Sequence, residues 1–478
     1  MRDDLRDFLQ KVDALGKLRR IEGADWDLEV GTATALNLRK RDCPVLLFDD
    51  IKGYPKGYRI VTCTGSTPSL VALNLNLPMT DSSLQLLNTL QENFPQWEAS
   101  LNKFGYEVVS TGPVLENIIS GDDIDLFKFP TPKWHPLDGG RYISTGDVVI
   151  TQDPDTGDVN LGTYRLQAHG KKTTGWHMQP IRHGDIHRRK YHDRGQPCPV
   201  AVSLGHHPLL LRMGSFDFPP GTEYQFAGAI RGEPVKVIKE EITGLPIPAD
   251  SEIVLVGWCP PNIYKTEGPF GEWMGYYGRE TQSLIIEVER IYHRNEPIIV
   301  GSPPGRPPHD SSCFLQLFST ARIYNELIKS GIPGIRGVWI NQGTTVSYLI
   351  IISIKQQYAG HARQAAVLAS QFRITGRQGT YVVVVDDDID PTNIDEVLWA
   401  MCTRSTPEEN IGIETLETVR KISGVPLDPR IARGVKSLVS SRAIIDACKP
   451  FGWADEFTKA VDLEPVVVER VRAKWKDI

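Results

Sequence analysis

Two glutamates, Glu267 and Glu272, stand five positions apart in the stretch KTEGPFGEWMGYY, separated only by Gly268, Pro269, Phe270 and Gly271. Paired carboxylates suit acid–base work, in which one stays an anion while the other carries a proton. The spacer suits neither a helix nor a regular strand, because proline brings no amide donor and glycine costs backbone entropy there. A fixed loop or bent strand end is expected. Taken alone, the stretch also fits a solvated turn with incidental acids.

Other polar groups have comparable potential. Asn160 and Arg165 lie five apart in DVNLGTYRLQAHG. On a regular strand they would face opposite ways, and Gly162 permits the bend that would unite them. The run WHMQPIRHGDIHRRKYHD carries His177, His183, His187 and His192 with Arg182, Arg188 and Arg189. Imidazole ligates divalent transition metals and guanidinium suits phosphate or carboxylate. The spacings match no zinc-finger or HExxH pattern, so a largely solvated basic face with one functional histidine is expected. Glu223, set among aromatic and small residues in TEYQFAGAIRG, should be buried and paired. Asp386, Asp387 and Asp388 end an apolar run, VVVVDDD. With no Walker loop or GxGxxG beside them, they read as structural caps rather than a magnesium or ribose site.

The elements that must position these groups fall into three parts. The spacing of Leu5, Phe8, Leu9, Val12 and Leu15 predicts a helix that Gly16 stops. Two short strands, in PVLLFDDIKGYP and YRIVTCTG, and a helical stretch over 68–105 complete an α/β unit over 1–115. Many short β-rich runs bounded by Gly, Pro, Asp and Asn follow to residue 305, which predicts an antiparallel sheet or barrel. The loop with the two acids falls inside it. The proline-dense GSPPGRPPHD marks a boundary or rigid bend. Residues 306–478 read as α/β again: a strand in VSYLIIISIKQQ, a helix in GHARQAAVLASQF, a doubly buried strand in TYVVVVDDDIDP, and a helix capped by Asn393 with Glu396. The final 70 residues read as connecting structure and a tail helix.

Bulk properties narrow the function. At 478 residues, 40% hydrophobic and 23% charged, with a net charge of −6, the chain has the composition of a multidomain globular protein and lacks the basic surface nucleic acid demands. Its seven scattered cysteines form no CxxC and suit reduced thiols. No signal-type segment or run of about 18 apolar residues is found. The expected setting is cytoplasmic, without a membrane span.

In order, NLGTYR, RHGD, TEYQFAGAIRG, EGPFGEWMGYY, GRPP, IKQQYAGHAR and VVDDDIDPTNIDEVLWAMCTR span Asn160 to Arg404. Together they resemble the UbiD family of prenylated-flavin-dependent decarboxylases, whose members act on polyprenyl-hydroxybenzoate, ferulic and aromatic acids. The resemblance implies a mixed α/β fold, with a central split β-barrel flavin-binding domain (116–305) between N-terminal (1–115) and C-terminal (306–478) α/β domains. It implies Asn160, His183 and Glu223 as ligands of a divalent ion, typically manganese, that binds the flavin phosphate, with a potassium-like ion nearby. Thr163, Tyr164, Arg165, Arg182 and His183 align with cofactor-contacting residues. Glu267, Arg165 and Glu272 match a Glu–Arg–Glu network facing the flavin ring, with Glu272 as proton donor, kept neutral by apolar walls.

The implied activity is reversible, non-oxidative decarboxylation of an aromatic, heteroaromatic or α,β-unsaturated acid, releasing carbon dioxide. A dimer, or a hexamer of dimers, is implied, as is a flavin prenyltransferase that supplies the cofactor. Two other readings are a carboxylase subunit of a larger assembly and a glycosidase using Glu267 and Glu272. His309 and Asp310 are equally readable as pocket residues or plain loop.

Overall fold

A computed structural model of the chain describes residues 4–178, 180, 182–344, 348–372, 381–417, 439–461 and 463–475. Near the start, Asp4 accepts the amide of Asp7 and caps the helix Leu5–Ala14, which buries Leu5, Phe8, Leu9 and Val12. This helix covers a four-stranded mixed sheet ordered Leu18–Glu22, Val45–Asp49, Arg59–Thr62, Ile298–Gly301. The fourth strand arrives from far along the chain and pairs in parallel with Arg59–Thr62, tying the N-terminal unit to the middle of the protein.

The single helical stretch expected over 68–105 is two helices, Pro68–Asn74 and Ser83–Ser100, followed by a short turn of 3-10 helix. The break has local causes. Asn76 adopts a left-handed φ of 52°, and Pro78 lacks the donor a continuing helix needs. Each helix has its own cap, with Thr67 and Ser82 accepting the amides of Leu70 and Gln85.

The middle of the chain forms the expected antiparallel sheet. Its central path runs Thr173–Trp176, Thr281–His293, Ile253–Cys259, Cys198–Leu204, Asp147–Gln152, Val159–Gly162. Thr281–His293 also pairs with Tyr264–Glu267 and Asn117–Ser120. This 13-residue strand therefore gathers distant segments. Between it and the N-terminal sheet lies an apolar cluster containing Tyr142, Trp176, Leu166 and Phe270, which underlies the site described below.

The C-terminal sheet is ordered Ile335–Ile340, Leu349–Ile354, Tyr381–Asp386, Val439–Ala447, Ile411–Glu417. Tyr381–Asp386 has parallel partners on both sides, which explains its unbroken valines. As expected, Asn393 caps the next helix, accepting the amide of Asp395 and donating to Glu396. The expectation of mere connecting structure in the last 70 residues is corrected: Ile411–Glu417 and Val439–Ala447 are paired strands of this sheet. Residues 418–438 lie outside the described segments. The tail helix is Pro465–Lys474. Among the described residues no helix is long and apolar enough to cross a membrane.

Candidate active site

The bend allowed by Gly162 is present. The strand Val159–Gly162 ends there, Thr163 to Arg165 leave the ladder, and Leu166–Gln167 pairs with Tyr142–Ser144. A β-carbon on Gly162 would stand 2.4 Å from the Tyr164 ring, and one on Gly184 2.7 Å from the Tyr164 hydroxyl. The detour thus needs glycine at both places. It brings Arg165 to the two glutamates.

Glu267 ends the strand Tyr264–Glu267, opposite Thr281. Beyond it Gly268 takes φ +85°, a value that favours glycine, and its amide donates to Gln167 Oε1 at 3.0 Å. Phe270–Gly271 then pairs with Tyr277–Gly278 in a small hairpin. Glu272 opens the hairpin turn, its amide bonded to Tyr276 O and its carbonyl accepting Gly275 N–H, both at 2.8 Å. The opening stretch is therefore a fixed strand end and tight hairpin, not a solvated turn.

Both acids meet one cation. Arg165 Nε and Nη2 donate to Glu267 at 2.8 and 3.0 Å, and Nη1 donates to Glu272 Oε1 at 2.6 Å. The guanidinium lies 5.2 Å above the Phe270 ring, which packs on Tyr142 at 3.9 Å. Glu267 is fully buried, and side-chain exposure is 9% for Arg165 and 11% for Glu272.

The two carboxylates differ in their remaining partners. Tyr142 donates to Glu267 Oε1 at 2.8 Å, and His177 Nδ1 lies 3.1 Å from Oε2. A carboxylate has about four lone-pair positions, and on Glu267 these four contacts fill them. Burial alone would raise its pKa, but His177 and Arg165 outweigh burial and hold Glu267 at about 2. Arg165 is likewise raised, with its bonds to Glu267 overcoming the cost of burial. Glu267 is thus a locked anion. Among the described residues Arg165 is the donor bonded to the Glu272 carboxylate, leaving its other lone pairs open. The apolar walls expected around Glu272 are replaced by this guanidinium on one side and Gly278 on another, where a β-carbon would stand 2.9 Å from Oε1.

His183 and Glu223 come together on a second side, where their two helices pack on the strand Val159–Gly162 that carries Asn160. His183 and Glu223 each begin a helix, His183–Asp193 and Glu223–Arg231, and helix N-termini favour anions. His183 Nδ1 lies 3.9 Å from Glu223 Oε1, beyond hydrogen-bond reach. Asn160 Nδ2 and Glu223 Oε2 are buried without a hydrogen-bond partner among the described residues. Burial raises the Glu223 carboxyl, and His183 offsets this in part. Such orphaned groups carry an energetic cost, and an amide turned to present its oxygen, an imidazole and a carboxylate suit a divalent cation. No group of three or more His, Cys, Asp or Glu side chains suited to a metal occurs among the described residues, so this trio needs its asparagine. Glu223 is buried as expected, but it faces an imidazole rather than a salt-bridging cation.

The neighbouring residues sort out as follows. Thr163 donates its amide to Gly214 O at 3.2 Å. Arg182 precedes the helix of His183, and its charge acts on Tyr164. His187 is buried against Thr151 and Asp153, and His192 bonds Cys259 O. The expectation of one functional histidine in a solvated run is therefore amended: His183 and His177 both stand at the site, and His187 is interior. Sequence reasoning gave no role to His177, Tyr142 or Gln167, and no local signal marks them. Asp310 is fully buried on Arg212 rather than lining a pocket. Asp386 and Asp388 bond Arg404 and Lys449, as structural caps would.

Against this geometry stand the chain's relatives. Family profiles of 3-octaprenyl-4-hydroxybenzoate carboxy-lyase match three times: the N-terminal domain over residues 9–90, the Rift-related domain over 107–307 and the C-terminal domain over 313–447. The chain is 31% identical over 463 residues to a phenolic acid decarboxylase of Bacillus subtilis, covering 94% of this chain and 92% of that protein. It is similar to the closed form of vanillic acid decarboxylase from Sedimentibacter hydroxybenzoicus, with a TM-score of 0.83, 28% identity and coverage of 100% and 99%. It is also similar to an evolved dimeric form of the UbiD-class enzyme HmfF from Pelotomaculum thermopropionicum in complex with prFMN, at a TM-score of 0.80, 26% identity and 98% of both chains.

Proposed function

Because the chain belongs to the UbiD family of carboxy-lyases, we propose that it decarboxylates a phenolic or related unsaturated carboxylic acid with a prenylated flavin mononucleotide. The observation that carries the reading is Arg165 held between Glu267 and Glu272 in a largely buried cluster. In this reading the eight-stranded antiparallel sheet is the split barrel of a flavin-binding domain over 116–305, flanked by the units 1–115 and 306–478.

Losing carbon dioxide from an sp² carbon leaves an electron pair with no adjacent orbital to receive it, and the flavin supplies that electron sink. The protein's share is binding, orientation and one proton. Asn160, through its side-chain oxygen, His183 and Glu223 would hold a divalent cation such as manganese, whose charge would compensate the buried Glu223 carboxylate and the cofactor phosphate. A potassium-like ion beside them is part of the same reading. Thr163, Tyr164 and Arg182 contact the cofactor. Arg165 orients the substrate carboxylate while Glu267, saturated with donors, keeps the guanidinium fixed and charged. Glu272, with lone pairs still open, takes a proton and delivers it to the carbon that loses carbon dioxide. A glycosidase would need one acid as nucleophile and the other as proton donor, and Glu267, its lone pairs filled and its carboxyl held as an anion, suits neither role.

Glu272→Gln tests this assignment. The amide oxygen still accepts from Arg165 Nη1, so the fold and the flavin absorbance persist. Loss of a general acid lowers the rate by about 10²- to 10⁴-fold. Carbon dioxide release within tenfold of the parent rate would remove Glu272 as the donor. The substrate itself is found by screening phenolic, heteroaromatic and acrylic acids with the reconstituted protein.

A further inference from the structure

Two of the seven free cysteines meet at the rim of the N-terminal sheet. Cys43 follows the exposed residues Arg39 to Asp42, and Cys63 directly follows the strand Arg59–Thr62. The Asn37 side-chain amide donates to both sulfurs, at 3.3 Å to Cys43 Sγ and 3.4 Å to Cys63 Sγ. The same amide donates to Pro44 O at 2.7 Å, which fixes its orientation, and its contacts to the two sulfurs, weak while these are neutral thiols, strengthen when one carries negative charge. The two thiols pack in one small buried cluster, and their interaction favours the Cys43 thiolate and pushes Cys63 up. One sulfur is thus poised to attack and the other to resolve. Cys63 further holds a left-handed φ of 66°, unfavourable for a residue with a β-carbon. Cys198 and Cys259 also sit opposite each other, in the central sheet, and like Cys43 each thiol reaches the carbonyl of its own following proline, but among the described residues no side-chain amide bridges that pair as Asn37 bridges Cys43 and Cys63.

We propose that Cys43 and Cys63 are a reversible thiol–disulfide site, oxidised by hydrogen peroxide, whose closure is felt at the Glu272 hairpin. The Cys43 thiolate attacks one peroxide oxygen, the O–O bond breaks, and the departing hydroxide takes up the proton the thiol had lost, leaving as water. The Cys63 sulfur then attacks the Cys43 sulfenic acid. The S–O bond breaks, the hydroxyl leaves with the Cys63 proton as a second water, and the S–S bond forms. Two electrons pass from the thiols to the peroxide.

The connection to the hairpin is a chain of contacts. The residues after Cys63 clamp Asp310: Gly65 N–H donates to Oδ1 at 3.0 Å and Thr64 Oγ1 to Oδ2 at 3.5 Å. Arg212 closes the clamp, donating to Asp310 Oδ2 at 2.9 Å and to Thr64 at 3.0 Å. There is little slack, since a β-carbon on Gly65 would stand 2.3 Å from Arg212 Nη2. The neighbouring His309 is buried, with its ring beside the backbone of Trp273, the residue next to Glu272. Drawing two sulfurs to a bond length of about 2.05 Å moves Cys63 and, through Asp310 and His309, the hairpin.

The test uses the full chain and does not depend on the decarboxylase reading. Purified protein is treated with stoichiometric hydrogen peroxide, alkylated and digested, and its peptides are weighed with and without reductant. The expected result is a Cys43–Cys63 cross-linked peptide that reduction abolishes, with Cys198 and Cys259 still alkylated. Hydrogen exchange of the Glu272 and Gly275 amides then quickens about tenfold, within the usual range of coupling between sites, and recovers on reduction. Cys63→Ser is expected to abolish both responses. Cys43 and Cys63 both alkylated after treatment would overturn the site. A cross-link with unchanged hairpin exchange, or the same exchange response in Cys63→Ser, would overturn its connection to the hairpin.

Discussion

Replacing Glu267 with glutamine removes the charge on which the buried cluster is built, and the size of the loss follows from its surroundings. The carboxyl is held at about 2 against an ordinary value of 4.5. At 1.36 kcal/mol per decade, its charged contacts contribute about 3 kcal/mol to the folded state at neutral pH. Glu267 is fully buried, so solvent screening does not reduce this figure. An independent route agrees: removing one partner of a buried ion pair costs about 3–5 kcal/mol. Glutamine would also turn an amide N–H₂ towards Arg165, Tyr142 or His177, all of which act as donors here. Because the folded pKa lies below the unfolded one, this stability is fully present above 4.5 and disappears as the pH falls towards 2. The gap between parent and Glu267→Gln should therefore stay near 3 kcal/mol between about pH 5.5 and 8, then narrow on acidification. Urea unfolding followed by tryptophan fluorescence measures it, with Trp134 and Trp176 in the same core as Phe270 and Tyr142. Equal stability at pH 7, or a gap that widens on acidification, would refute the account of Glu267 as a locked anion.

Gly278→Ala sets a methyl 2.9 Å from Glu272 Oε1 and should slow carbon dioxide release about tenfold by displacing the donor, short of the roughly 100-fold cost of a 1 Å error. Flavin absorbance should be unchanged, and an unaltered rate would show that Glu272 has room to spare. Glu223→Ala should yield protein that purifies without bound flavin or divalent metal, checked by absorbance and metal analysis. Retention of both would dismiss the Asn160–His183–Glu223 anchor. Asp310→Asn strands the fully buried Arg212 and should destabilise the fold by about 3–5 kcal/mol, read as a drop in the urea midpoint.

What the sequence reveals about this site and what it hides divide along chain distance. Constraints met within a few residues are legible: the glycine that lets the chain turn between Asn160 and Arg165, the Gly-Pro spacer that stiffens the hairpin, and the Asn393 cap. The motifs from Asn160 to Glu272 also reveal which acids and which arginine belong together. The protonation pattern is not legible in the same way. His177 reaches Glu267 because Thr173–Trp176 and Tyr264–Glu267 both pair with Thr281–His293, and Tyr142 reaches it from 125 residues away. A non-local pairing of strands leaves no periodicity in the segments it joins. The same limit hid Ile411–Glu417 and Val439–Ala447, strands recognisable only beside Tyr381–Asp386. Two chemically identical carboxylates five residues apart thus acquire different duties from their neighbours. Four distant donors make Glu267 a locked anion, and a single bond leaves the other lone pairs of Glu272 open. Residue types and their spacing nominate the pair, whereas the fold decides which member is saturated with donors and which keeps an open side.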